Sequence, residues 1–373
     1  MLKLFYPLIA FAGLAGLAPA QFVRTDLSTA AKPTKPVAAA VAPHHATENV
    51  ILIISDGLRW QEVFRGIDPT MATAQNKVED PAALLAKYDA PTTEARRERL
   101  MPFLWNVAAK NGQLYGDHDA GSEVHVANNM WFSYPGYNEM TTGYPDDVNV
   151  HSNDKIPNPN TTVFEWLSHQ PGLQGKVAVF GQWVRFNEIF NKAKSGLPVF
   201  AGHGEPGDAF IDYVKKNKPR VMFLGFGSTD HMAHAGKYKD YLDAAHRVDT
   251  AMAKVYNTLQ SIPQYRDKTT YIFSADHGRG NSKRGPKAWN SHGRKMPGSN
   301  SIYLAIWGPD TPDTGVVKGG PVLKQAQIAA TLATALGYDY DAAQPKAAPP
   351  IKQALSGHVS VAKAPKVQKA GAR

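Results

Sequence analysis

Five short runs of β-branched and apolar residues, at positions 50–55, 176–180, 220–226, 270–274 and 301–307, recur along the chain at separations too long for hairpins. Runs of this length with no polar alternation read as strands buried on both faces. Helical patterns lie between them, at 101–110, 161–168, 209–216, 238–259 and 324–336. Strands alternating with helices predict a three-layer α/β/α sandwich around a central, mostly parallel sheet, with small cap insertions. In open sheets of that kind ligands bind beyond the carboxyl ends of the strands. Three of the runs lead there into acidic residues: 50–55 into Asp56-Gly57, 220–226 through Gly227 to Asp230, and 270–274 into Asp276-His277-Gly278.

Composition removes several chemistries. The 373 residues include no cysteine, which excludes a thiolate nucleophile, thiolate-bound zinc, an iron–sulfur cluster and any disulfide. The formal charge of +9 sits mostly at the ends: residues 1–48 carry +2 and residues 351–373 carry +5, leaving +2 for the rest. A balance placed in this way implies solvated termini, and no specific nucleic-acid binding is expected. At the start, Lys3, the apolar stretch 4–17 and Ala18-Pro19-Ala20 have the pattern of a signal peptide cleaved after Ala20. The stretch is shorter than the roughly 20 apolar residues of a membrane span, so the expectation is a bacterial periplasmic or secreted protein with no span after cleavage. The predicted organisation is a signal peptide at 1–20, a flexible Pro/Ala/Thr/Lys linker at 21–48, a folded catalytic domain at 49–345 and a basic disordered tail at 346–373.

The acidic strand ends come with histidines. Asp230 and His234 are four residues apart and share a face if the segment is helical, where they would chelate one ion. Asp276 and His277 are adjacent, so both reach one site only if the chain turns just past the strand, which Gly278 and Gly280 permit. His292 follows in the Gly/Pro-rich stretch Asn290-Ser291-His292-Gly293-Arg294. Each element alone is weak, and their order along the chain is specific.

That order is strand-Asp-Gly, strand-Asp-x-x-x-His, strand-Asp-His-Gly and a later His-Gly. With Met140-Thr141-Thr142-Gly143-Tyr144-Pro145 and the segment 325–337, it resembles the alkaline phosphatase superfamily, in particular its type I phosphodiesterase and nucleotide pyrophosphatase branch, over roughly residues 49–340. The resemblance implies that Asp56, Asp276 and His277, with the nucleophile's oxygen, hold one metal ion and that Asp230, His234 and His292 hold a second. It places the nucleophile at Ser133, in the segment 128–137, where many diesterases have threonine. Metal coordination would make that hydroxyl reactive without a histidine base. Asn153 is the best match for an asparagine that donates to the phosphoryl group, with Asn149, Asn138 and Asn129 as rivals. Imidazole and carboxylate donors suit Zn²⁺, and Mn²⁺ or Fe accept the same set.

The implied activity is hydrolysis of a small-molecule phosphate monoester or diester through a phosphoseryl intermediate. Within the same superfamily the alternatives are a phosphotransferase or mutase and a sulfatase-like hydrolase. Tyr137 stands where a sulfatase's modification motif has arginine, which counts against the last. A non-catalytic metal-binding protein is the alternative from another class. Segments 68–99 and 146–159 are the expected rim. Trp131, Trp183, Phe186, Tyr134 and Tyr137 are candidate stacking surfaces, and Arg59, Arg65, Arg279, Lys283 and Arg294 candidate clamps for phosphate oxygens.

Overall fold

The computed structural model describes residues 46–202, 204–281, 285 and 288–356. The expected signal peptide, nearly all of the linker, the tail beyond 356 and Lys283 lie outside the described residues. Eleven strands are present among the described residues: β1 (Asn49–Ser55), β2 (Gly112–Tyr115), β3 (Val124–His125), β4 (Val177–Gly181), β5 (Val199–Ala201), β6 (Val221–Phe226), β7 (Thr269–Ser274), β8 (Ser301–Ile302), β9 (Leu304–Trp307), β10 (Gly315–Val316) and β11 (Leu323–Lys324). Eight form one sheet in the order β10-β2-β9-β7-β1-β6-β4-β5, and β11-β3-β8 form a small second sheet. In the large sheet β9 runs antiparallel to β2 and β7, and the other pairings are parallel. Helices lie on both sides, so the predicted α/β/α sandwich is the observed architecture.

Register sets the position of the site. All seven residues of β1 are buried, and it lies between β6 and β7. Ser55 pairs with Phe226 and Ile54 with Ser274, so the three strands end level and deliver Asp56, the Gly227–Asp230 turn and Asp276 to one edge. Four helices bear on the site and its supports: α1 (Ser133–Thr142), α2 (Ser228–His234), α3 (Tyr238–Gln260) and α4 (Gln327–Ala335). Helix α3 buries Tyr238, Tyr241, Leu242, Ala245, Val248, Met252, Val255 and Leu259, the stripe expected of a helix on a sheet.

The structure departs from the sequence reading at several points. The run 301–307 is two strands, because β8 pairs with β3 in the small sheet and β9 pairs with β2 and β7 in the large one. Between them, Tyr303 gives its carbonyl to the Ser274 hydroxyl at 2.6 Å. The 101–110 pattern is a short helix, Pro102–Asn106, followed by a 3₁₀ turn, Ala108–Lys110. Residues 346–356, read as the start of the disordered tail, pack on the domain. Ile351 and Ala354 are buried, the Ala348 N–H donates to Gly143 O at 2.8 Å, and the Ile351 N–H donates to Thr331 Oγ1 at 2.9 Å. Pro350 is buried as well, and Ala347 and Leu355 pack against the core, which anchors an otherwise Pro/Ala-rich stretch.

One buried acid ties these parts together. Glu139, on α1, accepts from the backbone N–H groups of Ala127, Asn128 and Ala326 and from the Asn128 side chain, at 2.7–3.0 Å. The Asn128 side-chain oxygen in turn accepts from the N–H groups of Met130 and Trp131 at 3.0 Å. This turns the chain through a left-handed Trp131, φ 54°, into α1. Glu139→Ala strands three backbone donors and one amide in the interior, and at about 1–3 kcal/mol for each unsatisfied group the expected loss of stability exceeds about 3 kcal/mol. The check is a urea denaturation curve. A midpoint matching the parent's would show the carboxylate to be idle.

Candidate metal centre and active site

The Asp-Gly pair after β1 is explained by crowding. Gly57 has φ +59°, and a Cβ there would lie 3.0 Å from Asp230 Oδ1 and 3.2 Å from both Arg279 Nη1 and His277 Cε1, so any other residue would strain the backbone and push on site side chains. Its N–H donates to Asp276 Oδ1 at 3.0 Å. The predicted helical turn holding Asp230 and His234 is α2. Past β7 the chain turns as the Asp276-His277 pair requires, and both side chains are fully buried.

Two groups of donors result. In the first, His277 Nε2 lies 3.4 Å from Asp56 Oδ1, 3.4 Å from Asp276 Oδ2 and 3.4 Å from Ser133 Oγ. His277 Nδ1 is 2.8 Å from the carbonyl of Gly278. That contact keeps a proton on Nδ1, so Nε2, which faces the carboxylates, is the nitrogen available to a metal ion. In the second, His234 Nε2 is 3.4 Å from Asp230 Oδ2 and 2.8 Å from His292 Nε2, and His292 Nε2 is 3.5 Å from Asp230 Oδ1. His277 and His292 stack with ring centroids 3.9 Å apart. Donor atoms of Asp56, Asp276 and His277, and likewise of Asp230, His277 and His292, all approach one another within 4.8 Å. His277 therefore links the two groups, and His234 joins through its contacts with Asp230 and His292.

The electrostatics favour a cation. Asp56 Oδ1 and Asp276 Oδ2 are buried with no hydrogen-bond partner, which costs free energy unless a charge or donor meets them. Burial, then the field of Asp230, raise the Asp56 carboxyl above its ordinary range, and burial and Asp56 raise Asp276 well above it. Burial opposes the charging of His277, and Asp276 and Asp56 overcome it, holding the imidazole at about 9. Burial first, then His277 and Arg279, push His292 well down. Carboxylates crowded against their preference beside imidazoles that face one another form a donor set fit for divalent metal.

Ser133 is the first residue of the ten-residue α1, where the sequence reads as a Pro-containing turn. Pro135 is tolerated because it falls in the first helical turn. Ser133, Asp56, Asn153, Trp183, Asp230 and Met232 are among the residues lining a cleft of about 550 Å³, together with His231 and His234. Of the four asparagines considered, Asn153 is the one on this cleft. Its Oδ1 accepts from the Tyr134 N–H at 2.9 Å, which orients the amide. Asn149 is spent on Asp146, Asn129 on Asp147, and Asn138 on Tyr144 and Asn160.

The proposed clamps and stacking surfaces fare differently. Arg59 is buried against Glu62, Arg65 is paired with Asp119 at 2.6 Å, and Arg279 is buried against Asp230. None of the three reaches the cleft as a free cation. Arg294 lines a groove with Trp131 and His292. Tyr134, Tyr137 and Phe186 are buried, leaving Trp183 on the cleft wall. The segment 146–159 supplies Asn153 to the cleft rim. Residues of 68–99 border a separate concavity beside Arg59, Trp60 and His118 instead. His118 stacks on Trp60, His125 faces Glu123 and His151 faces Val148 O. Sequence reasoning missed that Tyr137 donates its hydroxyl to Asp56 Oδ2 at 3.1 Å. Its spacing of four residues from Ser133 signals this only once α1 is recognised as a helix.

A central mostly parallel sheet with a buried Asp/His metal-capable group at its carboxyl edge defines the class, the alkaline phosphatase superfamily of metal-dependent phosphoester or sulfate ester hydrolases and transferases. The profile described as "Type I phosphodiesterase / nucleotide pyrophosphatase" matches residues 74–296, and the chain belongs to that family. GPI ethanolamine phosphate transferase 1 of Emericella nidulans is 26% identical over 180 residues, covering 42% of this chain and 17% of that protein. The chain thus matches only about a sixth of that relative's length. Among solved structures, a phosphonate monoester hydrolase from Silicibacter pomeroyi superposes with a TM-score of 0.51 at 12% identity, over 85% of this chain and 78% of that one. A 2-O GAG sulfatase superposes with a TM-score of 0.53 at 12% identity, over 84% and 75%. At such identity the two structures establish the fold alone. Among the described residues no helix is long and apolar enough to cross a membrane.

Proposed function

We propose that this protein is an exported phosphoric ester hydrolase that works with two divalent cations, Zn²⁺ first among them, and forms a phosphoseryl intermediate on Ser133. The observation that carries the reading is the convergence of Ser133 Oγ on His277 Nε2, 3.4 Å away, beside two buried carboxylate oxygens that accept no hydrogen bond. Asp56, Asp276 and His277 would hold one cation, and Asp230, His234 and His292 the other. Bound there, the cations would lower the pKa of the serine hydroxyl and neutralise charge on the phosphoryl oxygens. Ser133 Oγ gives its proton to solvent and forms a bond to phosphorus as the phosphorus–ester oxygen bond breaks, and the departing oxygen leaves as an alcohol or phenol after taking a proton from water; a second water then attacks phosphorus, breaks the Ser133–phosphate bond and leaves Oγ protonated. Asn153, its amide oriented by the Tyr134 N–H, would donate Nδ2 to a phosphoryl oxygen. Trp183 and Met232 on the cleft wall would receive the group attached to the departing oxygen. Export rests on the signal-peptide pattern of residues 1–20.

The test is chelation. Stripping metal should abolish hydrolysis of aryl phosphates and bis-aryl phosphates, and added Zn²⁺ should restore it, with aryl sulfates turned over far more slowly. Turnover that survives exhaustive chelation would remove the basis of the reading. The similarity to GPI ethanolamine phosphate transferases favours a second reading, transfer of the phosphoryl-containing group to an alcohol other than water. Product analysis with an added alcohol acceptor separates the two.

A further inference from the structure

The two donor groups differ in a way the ligand pattern alone does not reveal. Arg279 lies two residues after His277 and is 1% exposed. Its Nη1 and Nη2 are each 2.9 Å from Asp230 Oδ1, its Nη2 is 3.4 Å from the Asp230 carbonyl, and its Nε donates to Trp289 O at 3.1 Å. A guanidinium keeps its charge at any accessible pH, so this is a permanent cation set against the second group's single carboxylate.

Taking the imidazoles as neutral ligands, Asp56, Asp276 and His277 sum to −2. Their protein partners, the Tyr137 hydroxyl and the Gly57 N–H, are uncharged donors. Asp230, His234, His292 and Arg279 sum to zero. The guanidinium also occupies Oδ1 of Asp230, so the oxygen left for a cation is Oδ2, the one facing His234. Burial adds to the contrast. The three side chains of the first group are 0–7% exposed, whereas that of His234 is 49% exposed and gives up more conformational freedom when it ligates.

We propose that Arg279 makes the metal centre unequal, with a tight position at Asp56, Asp276 and His277 and a weak, exchangeable one at Asp230, His234 and His292. Arg279 acts as a positioning residue: it orients Asp230 through Oδ1 and offsets its charge. The inference rests on the metal-centre reading above, and the two can fail separately.

The experiment is a calorimetric titration of the metal-stripped full-length protein with Zn²⁺, repeated against a competing chelator. Two classes of site are expected, separated by on the order of 100-fold in affinity, as a difference of two charges at contact distance allows. In Arg279→Met the weak class should tighten at least about tenfold while the tight class stays as it was, whereas Arg279→Lys, which keeps the charge and loses the fork on Asp230, should leave the weak class weaker than in Arg279→Met. Two equal sites in the parent protein overturn the proposal, and this outcome needs no variant to fold. A folded Arg279→Met whose second site is unchanged or weaker overturns it as well. No binding at either position would overturn the metal-centre reading and the proposal with it.

Discussion

Alanine at position 133 is expected to yield a folded protein that still binds divalent cation and hydrolyses aryl phosphate esters at least about a thousandfold more slowly. The separation of effects follows from the geometry. Ser133 is buried, and its hydroxyl contacts His277 Nε2 at 3.4 Å, a long and weak interaction. Removing Oγ therefore strands no strong partner. Alanine also suits the first position of α1, so the change in stability should stay within about 0.5 kcal/mol. The carboxylates and imidazoles of both donor groups are untouched, and cation binding should persist. What is lost is the atom that attacks phosphorus. Acid-quenched parent enzyme should carry phosphate on the peptide containing Ser133, and the variant should carry none. A variant within tenfold of the parental rate would show that another group, or water directly, performs the attack.

The sequence reveals the central strands because β1, β6 and β7 are buried on both faces and leave continuous apolar runs. The peripheral strands β2, β5 and β10 are two to four residues long, too short to show a period. Helix α1 is hidden for a different reason. Its ten residues are all buried, polar ones included, because Thr141 and Thr142 bond backbone carbonyls of the helix itself while Asn138 and Glu139 bond Asn160, Asn128 and the neighbouring backbone. A helix without a polar face has no stripe to detect, and Pro135 and Gly136 disguise it further. At the site, the order of the Asp and His motifs is enough to gather the residues that the fold brings together. The same motifs mislead about charge: Arg279 reads as a clamp for phosphate, because nothing in the local sequence tells that its carboxylate partner lies 49 residues away.

Asp276→Asn should raise the thermal stability of the metal-free protein while removing most of the stabilisation that metal confers. Asp276 is fully buried, with Oδ1 held by the Gly57 N–H at 3.0 Å and Oδ2 without a hydrogen bond, 3.4 Å from His277 Nε2. Asparagine keeps the Oδ1 interaction and removes a carboxyl whose ionisation is opposed by burial and Asp56 more than it is favoured by His277. Without metal that penalty, met as charge or as a proton taken up on folding, opposes folding, so its removal should lift the midpoint by several degrees. With metal the balance inverts. A ligand present at a thousand times its dissociation constant stabilises the native state by about 4 kcal/mol, and a cage reduced from two carboxylates to one gives up most of that. Thermal melts of parent and variant, each with chelator and with excess Zn²⁺, measure both halves. A variant that melts below the parent in chelator, or that keeps the full metal-induced shift, would show that Asp276 is a structural hydrogen-bonding residue and that the cation, if bound, is held elsewhere.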